Sequence, residues 1–227
     1  MIQSCLGAVG GGRRDIITGS GVGSLRYLLF CAIAIAAGIA TAIWGIGGNR
    51  RLGLGAAETV EQRLAVCLTC HGAKGLSETP DTPSLGGQPE NFLLTQMFTF
   101  REKLRKSELM NEMAKSLSDD DLRVFSALIA KLPAPPAATQ PPADPARMER
   151  AKPLLTSGRC NICHQPNLAG QDQIPRIAAQ REDYLLKSLR AYKSGERVGY
   201  DPAMIEVMRS LTDDNMVDLA HYLSRTP

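Results

Sequence analysis

Two pentapeptides, Cys67-Leu68-Thr69-Cys70-His71 and Cys160-Asn161-Ile162-Cys163-His164, hold four of the six cysteines and two of the three histidines in a chain of 227 residues. In C-x-x-C-H, one helical turn presents both thiols to the two vinyl groups of a haem. The histidine that follows can then reach the iron. A redox dithiol is possible for each C-x-x-C, and a four-ligand zinc site would need both motifs to cooperate. Two copies with histidine adjacent, in a chain that carries an export signal, favour two covalently attached haem c groups (iron) held by Cys67, Cys70, Cys160 and Cys163, with His71 and His164 as iron ligands.

The ligand on the far side of each iron follows partly by elimination. His221 is the one histidine outside the motifs, so two bis-histidine sites lack a donor. Methionine, lysine or an open position remain. Met110 and Met204 occupy matching places, each with six residues before Leu117 and Leu211 respectively. Thioether ligation beside histidine raises the iron potential and suits electron transfer, which favours Met110 and Met204 over ordinary core packing. Met113 and Met208 lie nearby but do not align between the halves. Pro83, twelve residues after His71, and Pro175, eleven after His164, can offer carbonyls to the second ring nitrogen of each histidine. The alternative is a plain loop proline. His221 reads as a surface or packing residue, and Arg101, Lys103, Arg105 and Arg197 either pair with haem propionates or face partners, with a solvated face as the default. No catalytic residue set emerges, and the chain reads as an electron carrier rather than an enzyme.

These residues sit on a duplicated framework. The motifs are offset by 93 residues, Pro83-Ser84-Leu85-Gly86-Gly87-Gln88 and Pro175-Arg176-Ile177-Ala178-Ala179-Gln180 by 92, and Met110/Leu117-Ser118-Asp119 and Met204/Leu211-Thr212-Asp213 by 94. Three ordered matches at near-constant offset define a repeat. Each half reads as helices and long loops. Ser118 with Asp121 opens one helix, whose apolar face is Leu122, Phe125, Leu128 and Ile129. Thr212 opens its counterpart, with Met216, Leu219, Tyr222 and Leu223 inward. Helices are expected over Glu90–Lys106 and over Glu182–Ser194, the second closed by Gly195. Asp144-Pro145 starts a helix leading to Cys160. No alternating strand pattern occurs, and the loops at 72–89 and 165–181 need something bulky at the centre of each half.

Residues 133–146 hold six prolines in fourteen, a stiff connector between 58–132 and 147–227. Residues 25–46 are apolar apart from Arg26, and 22 residues span roughly 33 Å, enough for a bilayer core. The organisation expected is a cytoplasmic segment 1–24, a transmembrane anchor or uncleaved signal at 25–47, and an exported remainder. A signal peptide cleaved near Gly55-Ala56-Ala57 is the alternative. Cys5 and Cys31 lie in this segment. The chain's net charge of +3 arises there. Residues 58–132 carry 9 basic and 11 acidic side chains, and residues 147–227 carry 12 and 10. With no Lys/Arg tract, nucleic-acid binding is excluded as a function class.

Two fused domains, each with CxxCH, P-x-[LI]-x-x-Q and M-x6-L-[ST]-D opening the last helix, resemble the dihaem cytochrome c4 family over residues 58–227. The resemblance implies an all-α fold: two tandem class I cytochrome c domains, each a small helical bundle around one haem, behind an N-terminal hydrophobic helix. It implies His71/Met110 and His164/Met204 as axial pairs. It also implies electron transfer in the respiratory chain on the periplasmic side of the bacterial inner membrane. Partners would be redox proteins: a donor such as a bc1-type complex or a dehydrogenase, and an acceptor such as a terminal oxidase. The alternative within the same chemistry is the electron-accepting subunit of a dehydrogenase acting on sulfide, an alcohol or an aldehyde. The connector is longer than a compact member needs, and a retained anchor would depart from members that lose a signal peptide.

Overall fold

The computed structural model describes residues 58–137, 141–197 and 202–227. The segments 1–24 and 25–47, with the expected hydrophobic helix, lie outside the described residues, as do Cys5 and Cys31. Among the described residues no helix is long and apolar enough to cross a membrane.

The first half consists of α1 (Val60–His71), α2 (Glu90–Arg101), α3 (Glu108–Ala114) and α4 (Asp119–Ala130). The second consists of α5 (Pro145–Ser157), α6 (Cys160–Cys163), α7 (Glu182–Ser194), α8 (Ala203–Arg209) and α9 (Asp213–Arg225). Among the described residues the sole β feature is an isolated antiparallel bridge between Gln171 and Ile174. In register, α1 matches α5 plus α6, α2 matches α7, α3 matches α8 and α4 matches α9. The second copy of the repeat thus keeps the helix order of the first, with the first helix broken in two.

The helix starts are dictated locally. Thr59 Oγ1 accepts from the Gln62 N–H while the Gln62 side chain accepts from the Thr59 N–H, a reciprocal cap on α1. Ser118 with Asp121 does the same for α4, and Thr212 with Asn215 for α9. Asp144 caps α5 ahead of Pro145. Each such cap contributes about 1 kcal/mol to its helix. α7 ends at Ser194 with Gly195 in the left-handed region, as the sequence predicts. The helix expected to run to Lys106 stops at Arg101 instead. Lys103 takes φ +57°, at the place where the repeat has Gly195 at φ +78°, so the same turn is made without the glycine that signals it.

In the first half Leu64, Leu93, Phe125 and Ile129 form the core, where α4 lies on α2 and Leu64 of α1 packs against them. Arg63 reaches Asp121 at 2.6 Å and fastens α1 to α4. In the second half α9 packs on α5 and α7 around Leu185, Leu189, Met208, Met216, Leu219 and Leu223. Asp218 accepts two bonds from Arg150 at 2.7 and 2.8 Å, and Glu182 accepts from Arg225 at 2.6 Å. His221, read from sequence as a surface or packing residue, is buried at 3% exposure. Its Nε2 accepts from the Asp144 N–H at 2.9 Å, which ties the C-terminal end of the Pro-rich tract to α9. Pro141 adds a carbonyl bonded to Arg225.

Glu58–Pro227 forms one compact unit, so the halves are docked. Their contact is polar. Arg181 donates to the Ser77 carbonyl at 3.1 Å, the Asp81 N–H to Asp183 at 3.1 Å, and Arg105 to the Tyr184 hydroxyl at 3.0 Å. At its centre the side chains of Gln88 and Gln180 each bond the main chain of the opposite half.

Candidate functional site

The first motif lies on the last turns of α1, which runs unbroken from its Thr59 cap to His71. Gly72 follows at φ +84°, and a Cβ there would sit 2.0 Å from the Leu76 carbonyl oxygen, so only glycine lets the chain turn back over the helix end. The second motif is built differently. The helix expected to lead from Asp144 to Cys160 ends at Ser157, and Arg159 takes φ +52° before α6 begins at Cys160. The reason is local. The Gly158 and Arg159 N–H groups turn back to the Leu154 and Thr156 carbonyls, and the left-handed residue breaks the ladder. The His164 N–H still closes on the Cys160 carbonyl at 3.0 Å, so Cys160, Cys163 and His164 share one turn.

Both histidines are buried, at 7% and 5% exposure. His71 Nδ1 lies 2.8 Å from the Pro83 carbonyl and His164 Nδ1 lies 2.8 Å from the Pro175 carbonyl. A carbonyl only accepts, so Nδ1 carries the hydrogen and Nε2 the lone pair in both rings. Burial lowers both pKa values, with the proline carbonyls acting in the opposite sense. Each ring is thus a neutral, oriented imidazole with its donor lone pair unspent, the form that binds a metal. None of the four motif cysteines is paired in a disulfide. Cys67 and Cys160 are half-buried. Cys70 and Cys163 are exposed.

Met110 is the third residue of α3, and its N–H donates to the capping Ser107 hydroxyl at 3.4 Å. Met204 is the second residue of α8 and packs against the second core. A Cβ on Gly158 would meet Cys160 Sγ at 3.3 Å and Val207 of α8 at 3.6 Å, so the helix bearing Met204 lies close to the second motif. Met113 is exposed at the surface and Met208 is buried in the core.

The arrangement fits haem and not zinc. Among the described residues no three of His, Cys, Asp and Glu converge as a metal-binding group, so zinc has no donor set. Arg176 Nε is buried with no hydrogen-bond partner, an orphan donor next to Pro175 that suits an acidic group such as a propionate. Arg105 and Arg197, expected in a solvated face, are held otherwise. They stack over Phe100 at 4.5 Å and Tyr192 at 4.6 Å, the same pair at an offset of 92 in each half. A buried cation on an aromatic ring is a positioned group rather than a solvated one. Tyr184, which no sequence pattern marks, lies between them. Burial raises its pKa, but Arg105 and Arg197 outweigh it and bring the phenol down to about 7.

Helical halves built around CxxCH, with each histidine held by a proline carbonyl, define a c-type cytochrome with two covalently attached haem c groups that transfers single electrons. The family model for cytochrome c matches residues 148–227. The chain is 31% identical over 169 residues to the cytochrome c4 of Thiocapsa roseopersicina, covering 70% of this chain and 85% of that one. It is 30% identical over 173 residues to a thiosulfate dehydrogenase electron acceptor of Thiomonas intermedia (strain K12), covering 72% and 79%. The structure of reduced recombinant cytochrome c4 from Pseudomonas stutzeri superposes with a TM-score of 0.66 at 28% identity, over 75% of this chain and all of the other. The chain belongs to the cytochrome c4 family.

Proposed function

We propose that the chain is an electron carrier, rather than an enzyme, between redox proteins on the periplasmic side of the bacterial inner membrane. His71 with Met110, and His164 with Met204, would hold the two irons. Haem, when bound, supplies the one-electron iron couple. The chain's residues do the rest. Cys67, Cys70, Cys160 and Cys163 tether the group, Pro83 and Pro175 fix the imidazoles, and the helices exclude water. Met110 and Met204 are favoured by their matching places in the repeat, each with six residues before Leu117 or Leu211, a register that Met113 and Met208 do not share. Iron held by both a histidine and a methionine would have no position left for a substrate, which would favour carrying electrons over chemistry on a bound molecule. The domains are 58–132 and 147–227, joined by the 133–146 connector. Residues 25–47 anchor the chain in the inner membrane, with a cleaved signal and a soluble periplasmic protein as the alternative.

The observation that carries this reading is the double occurrence of a buried histidine bonded at 2.8 Å to the proline carbonyl of its own loop. A redox titration of the purified protein followed by visible spectroscopy tests it. Two one-electron steps and the far-red charge-transfer band of a methionine–iron bond are expected. Retention of that band after both Met110→Ala and Met204→Ala would overturn the ligand assignment. The Thiomonas relative favours a second reading, in which the stable donor is a periplasmic dehydrogenase and this chain its electron-accepting subunit. Stoichiometric co-purification with such an enzyme separates that reading from a free carrier.

A further inference from the structure

Gln88 and Gln180 are matching residues of the repeat, at 5% and 3% exposure. Each places its carboxamide against one residue of the opposite half. Gln180 Oε1 accepts from the Ser84 N–H at 2.8 Å and its Nε2 donates to the Ser84 carbonyl at 2.8 Å. Gln88 Oε1 accepts from the Arg176 N–H at 3.1 Å and its Nε2 donates to the Arg176 carbonyl at 2.9 Å. Ser84 and Arg176 are themselves repeat mates, and each follows the proline that holds the histidine of its own half. The peptide unit joining Pro83 to Ser84 therefore accepts from His71 at one end and donates to Gln180 at the other. The unit joining Pro175 to Arg176 does the same between His164 and Gln88.

Hydrogen bonds in series polarise one another. A peptide whose N–H is engaged by a good acceptor has a more negative carbonyl oxygen. That oxygen draws harder on the imidazole N–H, and the ring becomes a stronger electron donor to a metal. The polarising group for each histidine belongs to the other half. We propose that Gln88 and Gln180 are positioning residues acting crosswise: Gln180 tunes the site of His71, and Gln88 tunes the site of His164. The inference rests on the proposed ligation by those histidines.

The test uses the full-length holoprotein and records the reduction equilibrium of each haem separately, with each assigned by nuclear Overhauser contacts to residues of its own half. Gln180→Leu keeps the volume and removes the acceptor. It is expected to make the haem of the first half easier to reduce, by up to about tenfold in equilibrium constant, or about 59 mV for one electron, with the second changed much less. Gln88→Leu is expected to do the reverse. Equal movement of both haems in every variant, or movement of the haem in the mutated residue's own half, would overturn the proposal, since a loosened interface predicts either. Should the leucine variants not fold, the wild-type protein decides. The Ser84 and Arg176 amide protons should be protected from exchange, and the Ser84 amide resonance should respond to oxidation of the first haem. Exchange at surface-loop rates would sink the idea. Failure of the ligation reading would look different, as loss of the histidine–methionine spectrum expected of the unmutated protein.

Discussion

The two halves share a fold and a motif but not an interior. Among the described residues the second half buries twelve apolar residues and leaves one large apolar side chain, Ile162, exposed. The first buries seven and exposes seven, among them Val66 beside Cys67, Phe98, Leu104 and Leu109. A small domain with so short a core needs another source of stability. A covalently held haem would make up a larger share of the interior in the first half than in the second. The lesson is that a duplicated domain can keep its site geometry, here two identical histidine–proline bonds, while dividing stability differently between protein and cofactor.

The strongest way to break this comparison is to take one haem away at a time. Cys67→Ala with Cys70→Ala should remove one haem by mass and unfold the first half, seen as lost helical circular dichroism and new proteolytic cuts in residues 58–132. The matching pair at Cys160 and Cys163 should remove one haem and cost less helix. Equal losses would refute the unequal-core argument.

A smaller effect separates the two proline loops. Leu132 to Ala134 run directly over Gly86 and Gly87, and a Cβ at Gly86 would lie 2.0 Å from the Pro133 oxygen. The second half holds Ala178 and Ala179 at those places, both buried. Gly86→Ala is expected to destabilise by about 3 kcal/mol, the upper range of overpacking, and Ala178→Gly by about 1 kcal/mol. Urea midpoints check both, and a tolerated Gly86→Ala would mean that the connector can lift away.

The pH response should also differ. Burial, with Arg225 and Arg147, lowers the His221 pKa despite Glu182. The unfolded chain then binds the proton more readily, so native stability falls as the pH drops through the unfolded value of about 6.5 and levels off below the folded one. His221→Gln should flatten that fall between pH 8 and pH 5 in denaturant titrations of the second half. An unchanged slope would assign the effect to other groups.

The smallest effect concerns the turns after α2 and α7. Gly195 has nothing within 4 Å of a built Cβ, so its substitution costs only its positive φ. Gly195→Ala should destabilise by about 1 kcal/mol, and Lys103→Gly should stabilise by a few tenths, both read from thermal midpoints. A neutral Gly195→Ala would show that this turn relaxes out of the left-handed region.

Much of this architecture is legible from residue types and spacing, because caps and repeats are local signals. Ser118, Thr212 and Asp144 start the helices that their side chains predict, and Gly195 ends the one it follows. The early stop of α2 is hidden because Lys103 makes a glycine's turn, although alignment to Gly195 across the repeat carries the signal. The break before Cys160 depends on Arg159 taking a conformation no arginine advertises. The proline carbonyls at His71 and His164 follow from loop spacing. The burial of His221 does not, since α9 buries a wider arc than its apolar residues describe. Gln88 and Gln180 stand in the repeated motif in plain view, but their partners lie across the molecule, 96 and 88 residues away. Pairing at that distance is a property of how the halves dock, which local sequence does not encode.

The four carboxamide bonds between the halves are uncharged, two of them buried and two part-buried. Dissolved ions weaken attraction between exposed charges but scarcely touch neutral groups buried from water. Rising ionic strength should therefore detach protein partners from the outer surface well before it separates the two haem-bearing lobes. The spacing between the lobes then stays fixed as the salt content of the medium changes.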